Sequence, residues 1–392
     1  MSAPAPPLAL PARGDPEVDR RCAAALASLP DMTPRRLAGV LRHHPPEEAW
    51  ARVAAGWVPK MVKPAESAPG IADRWRRHAA EHPPDRVWAE LVTGGVSVVL
   101  PEADGFGDRF DGLDPVVSVL FAVGEPAVLA LPCIAIVGTR RATSLGRELA
   151  RTLGRDLAGL GVAVASGLAL GVDAAAHTGA LQAGGAPPLA VVGTGVDVPY
   201  PRTNAALWGA VVDCGLLLSE HPPGTTAEPH HFPQRNRVLA AVASAVVVVE
   251  SHRVGGALIT ASLAADIGRP VGAVPGSVRN PAAEGTNQLL RDGASVVLDA
   301  LDALVIAGVA PPRPAGRRGR RGQPAAWLPR EPLTAPEQLV LDVLGEGATV
   351  DELVGRTGAA LGAVVGALDQ LDERGLVEPD GPRWRRSAHD LP

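Results

Sequence analysis

Seven short apolar runs follow one another between Cys133 and Leu298: CIAIVG, GVAVASG, LAVVG, GLLLSE, AVVVVES, RPVGAVPG and ASVVL. Stretches of helical periodicity, such as SLGRELARTLGRDLAGL and GGALITASLAADIG, separate them. A strand that is apolar at every position has no face to offer water, so both of its faces must be covered. Such strands alternating with helices predict a parallel sheet clothed on both sides, an extended Rossmann-like, doubly wound α/β domain.

The flanking segments read differently. Residues 1–15, with many prolines and no basic start, predict a disordered tail and not a signal peptide. Residues 16–84 read as a small helical domain, like a sterile-alpha-motif or helix-hairpin-helix unit. The stretch 29–41, LPDMTPRRLAGVL, has the shape of such a hairpin, but Asp31 and Thr33 stand where glycines would let a backbone approach phosphate. The Rossmann-like domain is expected over 85–308, with strand-like VSVVL (97–101) and VVSVLF (116–121) near its start. A Pro/Arg-rich linker is expected over 309–332, carrying Arg313, Arg317, Arg318, Arg320 and Arg321. Residues 333–388 then give three helical patterns and a two-strand tail, the winged-helix order. No stretch of about 18 apolar residues free of charge or helix breakers occurs, so no membrane span is expected. Cys22, Cys133 and Cys214 lie far apart and form no CxxC pair, which suits a reducing, cytoplasmic setting.

Lys60 and Lys63 are the only lysines. A P-loop needs GxxxxGK[ST], so the α/β domain cannot contain one. The first strand–helix turn reads IVGTRRATSLG, in which Gly138 and Gly146 are too far apart for a GxGxxG dinucleotide fingerprint. The GxG at Gly193–Gly195 leads into Val-Asp-Val-Pro-Tyr-Pro and not a helix. No nucleotide or other cofactor is therefore expected.

Ligands of a doubly wound sheet bind beyond the carboxyl ends of its strands. The loops there contain Arg140, Arg141, Arg202, Arg235, Arg237, Arg253 and Arg279, in a chain whose formal net charge is −5. A pyrophosphate does not need so many cations, whereas a strand of repeating phosphates does. Asp173, Asp197, Glu220 and Glu250 also fall near strand ends, so some of these arginines are open to neutralisation by ion pairing.

The segment 231–244, HFPQRNRVLAAVAS, concentrates the signal. Phe232 and Pro233 open a helix, and Arg235, Asn236 and Arg237 fall near its anion-attracting N-terminus. Arginine is a bidentate phosphate donor, and Phe232 is placed either to stack on an unpaired base or to pack in the core. Ser166-Gly167 is expected to offer a hydroxyl and backbone amides to a phosphate; it lacks the GxSxG of a hydrolase elbow. Asp173 and His177, four apart on one helix, are expected to pair. Glu228, His230 and His231 crowd before Phe232 without the spacing of a metal site, so no metal is expected.

Eight ordered blocks from Ile134 to about Ala294 together resemble the DNA-processing protein A family, DprA or Smf: AIVGTR, SGLALGVDAAAH, GTGVDVPYP, LLSE, FPQRNR, GGALITA, GRPVGAVPG and EGTNQLLRDGA. The resemblance implies a non-catalytic protein that binds single-stranded DNA, forms homodimers through the Rossmann-like domain, and loads the recombinase RecA during natural transformation. Carried onto this chain, the expected DNA-facing residues are Gly138, Thr139, Arg140, Ser166, Gly167, Phe232, Arg235, Asn236 and Arg237, joined by Arg202, Gly256 and Thr260.

Three positions depart from the family pattern. Ala257 replaces a small hydroxyl residue, VLAAVA replaces the usual continuation after RNR, and Glu228-Pro229 stand where a basic residue is common. Ala257 loses one expected phosphate contact and VLAAVA is a conservative packing change, whereas Glu228-Pro229 with the following histidines is expected to weaken binding, or to make it strengthen as His230 and His231 protonate. A related Rossmann group, the nucleoside monophosphate phosphoribohydrolases, is the alternative reading. Its PGGxGTxxE glutamate is missing from GGALITASLAAD, so an enzyme is not expected. A sensory regulator is a third reading. The presumptive recognition helix, LGAVVGALDQLDERG, carries Asp369, Asp372 and Glu373 and would repel phosphate; only Arg383, Arg385 and Arg386 around Trp384 suit DNA. A protein-contacting or dimer-supporting role for this end domain is expected instead of operator binding.

Overall fold

A computed structural model describes residues 15–59, 70–310, 333–345, 347–373, 376–380 and 383–386. The tail before residue 15 and the arginine-bearing linker lie outside the described residues. The chain divides into two compact units, Met1–Ala325 and Ala326–Pro392.

The first unit opens with α1 (Pro16–Ala27), α2 (Pro34–Leu41), α3 (Pro46–Ala54), α4 (Ile71–Glu81) and α5 (Pro84–Thr93). Proline stands at the first helical position of α1, α2, α3 and α5, where its missing N–H costs nothing. Asp15 and Thr33 cap α1 and α2 by accepting from the backbone N–H of Glu17 and Arg36. In the α1–α2 turn Asp31 has φ +58°, the left-handed conformation a glycine would take there without strain. The expected boundary at 84–85 falls on the first turn of α5, which packs against α1. Arg20 with Asp104, and Arg35 with Asp114, tie the helical segment to the stretch 100–119.

Strands β1 (Ser97–Val99) and β2 (Leu120–Gly124) come next. The second begins four residues later than the alternation over 116–121 predicts: Val117 and Val119 are buried, but in irregular backbone. Then β3 (Cys133–Val137), α6 (Ser144–Gly159), β4 (Ala163–Ser166), α7 (Val172–Ala183), β5 (Leu189–Val191), α8 (Ala205–Cys214) and β6 (Leu216–Ser219) follow in strict alternation. The alternation continues through α9 (His231–Val242), β7 (Ala245–Val248), α10 (Gly256–Asp266), β8 (Val271–Ala273), α11 (Glu284–Arg291), β9 (Ser295–Val296) and α12 (Ala300–Ile306).

All seven apolar runs are strands of one nine-stranded sheet, ordered β1-β2-β6-β5-β4-β3-β7-β8-β9. Strands β3 to β9 are mutually parallel, and β1 and β2 extend the sheet antiparallel from β6. Side chains alternate across the sheet. Ile134 and Ile136 therefore enter a core with Leu153 and Leu157 of α6, Ala176 of α7 and Leu304 of α12. Cys133, Ala135 and Val137 enter the opposite core, with Leu239 of α9, Ala261 of α10, Phe110 and Leu113. Each fully buried Ile or Leu contributes about 1.5–3 kcal/mol. This two-sided burial is why the inner runs are almost wholly apolar; the hydroxyls of Ser166 and Ser219 are bonded to the Ile136 and Thr194 carbonyls, and the edge strand β9 is exposed.

The second unit contains α13 (Ala335–Leu344), β10 (Ala348–Thr349), α14 (Val350–Thr357), α15 (Leu361–Glu373), β11 (Val377–Asp380) and β12 (Arg383–Arg386). The strands pair in the order β10-β12-β11, giving a winged-helix arrangement. Capping boxes at Thr334–Glu337 and Thr349–Glu352 fix the starts of α13 and α14.

Candidate nucleic-acid interface

The strand order reverses at β3, which lies between β4 and β7. In this architecture ligands enter the crevice at that reversal, and a pyrophosphate sits on the N-terminus of the helix after the first strand. Here Glu250, just past β7, fills that place. Its carboxylate accepts from the backbone N–H of Thr143 at 2.8 Å and from Thr143 Oγ1 at 2.6 Å. Thr143 Oγ1 in turn accepts from Gly146 N at 3.0 Å, capping α6. A Cβ at Gly146 would collide with the Glu250 carboxylate. The chain thus neutralises its own anion site, a physical ground for excluding a dinucleotide that the glycine spacing alone did not supply.

Beneath the loop after β4 lies a buried polar cluster. Ser166 is fully buried and donates to the Ile136 carbonyl at 2.7 Å, and the Gly167 N–H donates to Asp173 Oδ2 at 3.1 Å. Neither group is turned toward solvent, which corrects the expectation of a hydroxyl and free amide for phosphate. Arg235 is also buried, donating to the Val191 carbonyl. Burial pulls its pKa down to about 10, with Asp173 acting the other way. Asp173 itself is raised, first by burial, against the pull of Arg235. The expected Asp173–His177 pair does not form. Both nitrogens of the fully buried His177 lack a hydrogen-bond partner, and burial holds its pKa down to about 4.

Arg237 makes a buried ion pair with Glu220, at 2.5 and 2.7 Å to its two oxygens, and donates to the Pro115 carbonyl at 2.5 Å. Burial pushes the Glu220 carboxyl up to about 7, and Arg237 opposes that shift. A guanidinium so committed is not offered to a phosphate, so this arginine leaves the expected solvent-facing set. Thr260 is buried too, its hydroxyl donating to the Gly256 carbonyl at 3.3 Å. Ala257, where the family pattern has a small hydroxyl residue, is 7% exposed.

What remains open to solvent is an aromatic platform with cations around it. Phe232, partly buried at the start of α9, has the Arg140 guanidinium 5.2 Å from its ring centroid and the Tyr200 ring 5.1 Å away. Arg141, Arg202, Arg253 and Arg279 are exposed in the loops after β3, β5, β7 and β8, on the same carboxyl edge. None of them, nor Arg140, forms an ion pair among the described residues. Gly138 and Thr139 line the approach, half-buried, with Thr139 N donating to the Glu250 carbonyl at 2.8 Å. Asn236 is half-buried and donates to the Gly256 carbonyl at 3.4 Å. Gly256 is exposed, with open space where a Cβ would stand.

The family model for the DNA recombination-mediator protein A matches residues 97–307, which span the whole sheet and its edge loops. The chain belongs to that family, known as DprA or Smf. A DprA-named protein of Mycobacterium tuberculosis is 40% identical over 271 residues, 68% of either chain. The X-ray structure of DNA processing protein A from Streptococcus pneumoniae superimposes with a TM-score of 0.55 at 28% identity, covering 74% of this chain and 97% of that one. That of Helicobacter pylori, described for its single-stranded DNA binding mode, gives a TM-score of 0.50 at 27% identity, covering 55% and 97%.

Two members of the edge escaped sequence reasoning. Tyr200, in the GTGVDVPYP block, was legible as a motif but not as a ring against Phe232. Glu250 was noted only as a counter-charge. In the second unit the wing is less available than its sequence suggested: Arg383 pairs with Glu352 at 3.0 Å and Arg386 donates to the Leu341 carbonyl at 2.8 Å. No helix among the described residues is long and apolar enough to cross a membrane.

Proposed function

We propose that this chain binds single-stranded DNA along the carboxyl edge of its sheet, without turning it over. The Arg140–Phe232–Tyr200 platform carries the reading: an aromatic face accepts any unpaired base, and unpaired guanidinium groups around it accept the backbone. The exposed Arg141, Arg202, Arg253 and Arg279 extend the positive edge beyond one nucleotide. Of the remaining expected contacts, the exposed backbone of Gly256 borders that path, while Gly138, Thr139 and Asn236 are half-buried beside it, the Thr139 N–H and the Asn236 amide being held by the Glu250 and Gly256 carbonyls. Ser166, Gly167, Arg235, Arg237 and Thr260 fit as its buried support.

Family membership supports a cytoplasmic role in transformation and recombination, with RecA as the protein loaded onto the bound strand. Homodimerisation through the α/β domain is supported by an apolar strip beside the edge strand β9: Val296, Leu298, Leu301 and Val305 are each more than half exposed. The acidic α15 favours a protein contact for the winged-helix unit over operator binding.

The test is fluorescence anisotropy with single-stranded and duplex oligonucleotides across a salt gradient, comparing wild type with Arg140→Ala. Preference for single strands, a steep salt slope, and a slope reduced by about 0.7 in the variant are expected. Equal affinity for duplex and single strands, unchanged by the variant, would refute the reading. RecA nucleation on bound strands, followed by its ATPase, tests loading separately.

A further inference from the structure

The segment Glu228-Pro229-His230-His231 is folded more tightly than its spacing suggests. The His231 N–H donates to the Glu228 carbonyl at 3.1 Å, closing a turn that leads into α9. The turn brings one donor atom from each of Glu228, His230 and His231 within 4.8 Å of one another. Glu228 Oε2 and His230 Nδ1 stand 3.4 Å apart. Two ligands of a tetrahedral zinc ion, each at about 2.0–2.1 Å, are separated by about 3.3 Å.

A second observation comes from the buried side of the turn. His231 is 6% exposed, and its Nδ1 has no hydrogen-bond partner. Its ring is wedged between His221, with centroids 4.0 Å apart, and His230, at 4.4 Å and nearly edge-on. A buried imidazole nitrogen without a hydrogen-bond partner, beside an exposed carboxylate and an exposed imidazole, is an unusual arrangement for a purely structural turn.

We propose that Glu228, His230 and His231 form a binding site for a divalent transition metal of the zinc class, with a further coordination position open to water. Two imidazoles and one carboxylate select such an ion over magnesium or calcium, which take oxygen ligands. The site lies at the start of α9 immediately before Phe232, yet the proposal is independent of whether that ring meets DNA.

The test is calorimetric titration of the full chain with Zn²⁺, repeated with Mg²⁺, and absorption spectra of the chain loaded with Co²⁺. One equivalent of Zn²⁺ is expected, with no comparable Mg²⁺ binding. His230→Ala and Glu228→Gln each weaken Zn²⁺ binding at least about tenfold and abolish the Co²⁺ visible bands. Both side chains are more than half exposed, so the variants keep the wild-type melting curve. His78→Ala, in the stacked His78–His82 pair, and Cys214→Ser, the exposed thiol, leave binding unchanged. Absence of Zn²⁺ binding, or binding that survives in both His230→Ala and Glu228→Gln, overturns the proposal.

Discussion

The Arg140 guanidinium lies 5.2 Å from the centroid of the Phe232 ring, joining the loop after β3 to the first turn of α9. These residues are 92 positions apart in the chain (232 − 140 = 92), and only the parallel pairing of the strands brings them to one edge. The ring gains a cation on one flank and Tyr200 on another, so its orientation is set before any base arrives.

Phe232→Ala is expected to weaken binding of an oligo-dT strand by about 1–3 kcal/mol, roughly 5- to 150-fold, while leaving the salt slope unchanged. Phe232→Tyr keeps the π-face and most of the affinity. Anisotropy titrations at two salt concentrations check both statements. An unchanged affinity in Phe232→Ala would assign the ring to packing alone.

Arg237→Ala is expected to act on stability and not on the DNA-facing edge. It leaves Glu220 buried without its partner, a loss of about 3–5 kcal/mol. Replacing both partners, Arg237→Met with Glu220→Leu, restores much of that, because the buried charges go together. Urea denaturation midpoints of the three proteins decide it, and a single variant as stable as wild type would contradict the buried pair.

How much of this was legible in the sequence depends on which atoms carried the information. The seven strands were legible because two-sided burial leaves the inner ones almost wholly apolar, a local mark, and the exposed edge strand β9 continues the same strand–helix alternation. The fate of each arginine was not. Sequence gives the loop in which a side chain begins, and a guanidinium at the end of a long stem can turn back into the protein. Arg235 reaches the Val191 carbonyl and Arg237 reaches Glu220, whereas Arg140 and Arg202 stay outside. The Glu228–His231 cluster was legible as a group of neighbours, but not its geometry: a tight turn brings donor atoms of Glu228, His230 and His231 within 4.8 Å of one another.

Gly167 and Gly256 separate close packing from close approach to a ligand. A Cβ at Gly167 would meet the Arg235 guanidinium, which is buried and held by the Val191 carbonyl. Gly167→Ala should therefore cost about 1–3 kcal/mol of stability. Gly256 has open space around its Cβ position, so Gly256→Ala should change stability by less than about 0.5 kcal/mol. If a phosphate approaches that backbone, the same variant weakens single-strand binding despite its intact fold. Paired melting and anisotropy measurements distinguish the two behaviours.

His177 should make the fold acid-sensitive. Its pKa is held down to about 4 in the folded chain, against an ordinary 6.5, because burial penalises the charged ring. Between those values the unfolded chain takes up a proton that the folded chain refuses. Its contribution to stability is fully present above pH 6.5 and is lost as pH falls toward 4, by about 2–3 kcal/mol across the window. His177→Leu removes two unsatisfied nitrogens while keeping an apolar group of similar size. It should leave stability at about pH 7.5 unchanged or higher, and lose about 2 kcal/mol less than wild type on going to about pH 4.5. Urea unfolding at the two pH values measures this. Parallel losses in both proteins would mean that the ring is protonated, and partnered, in the folded state.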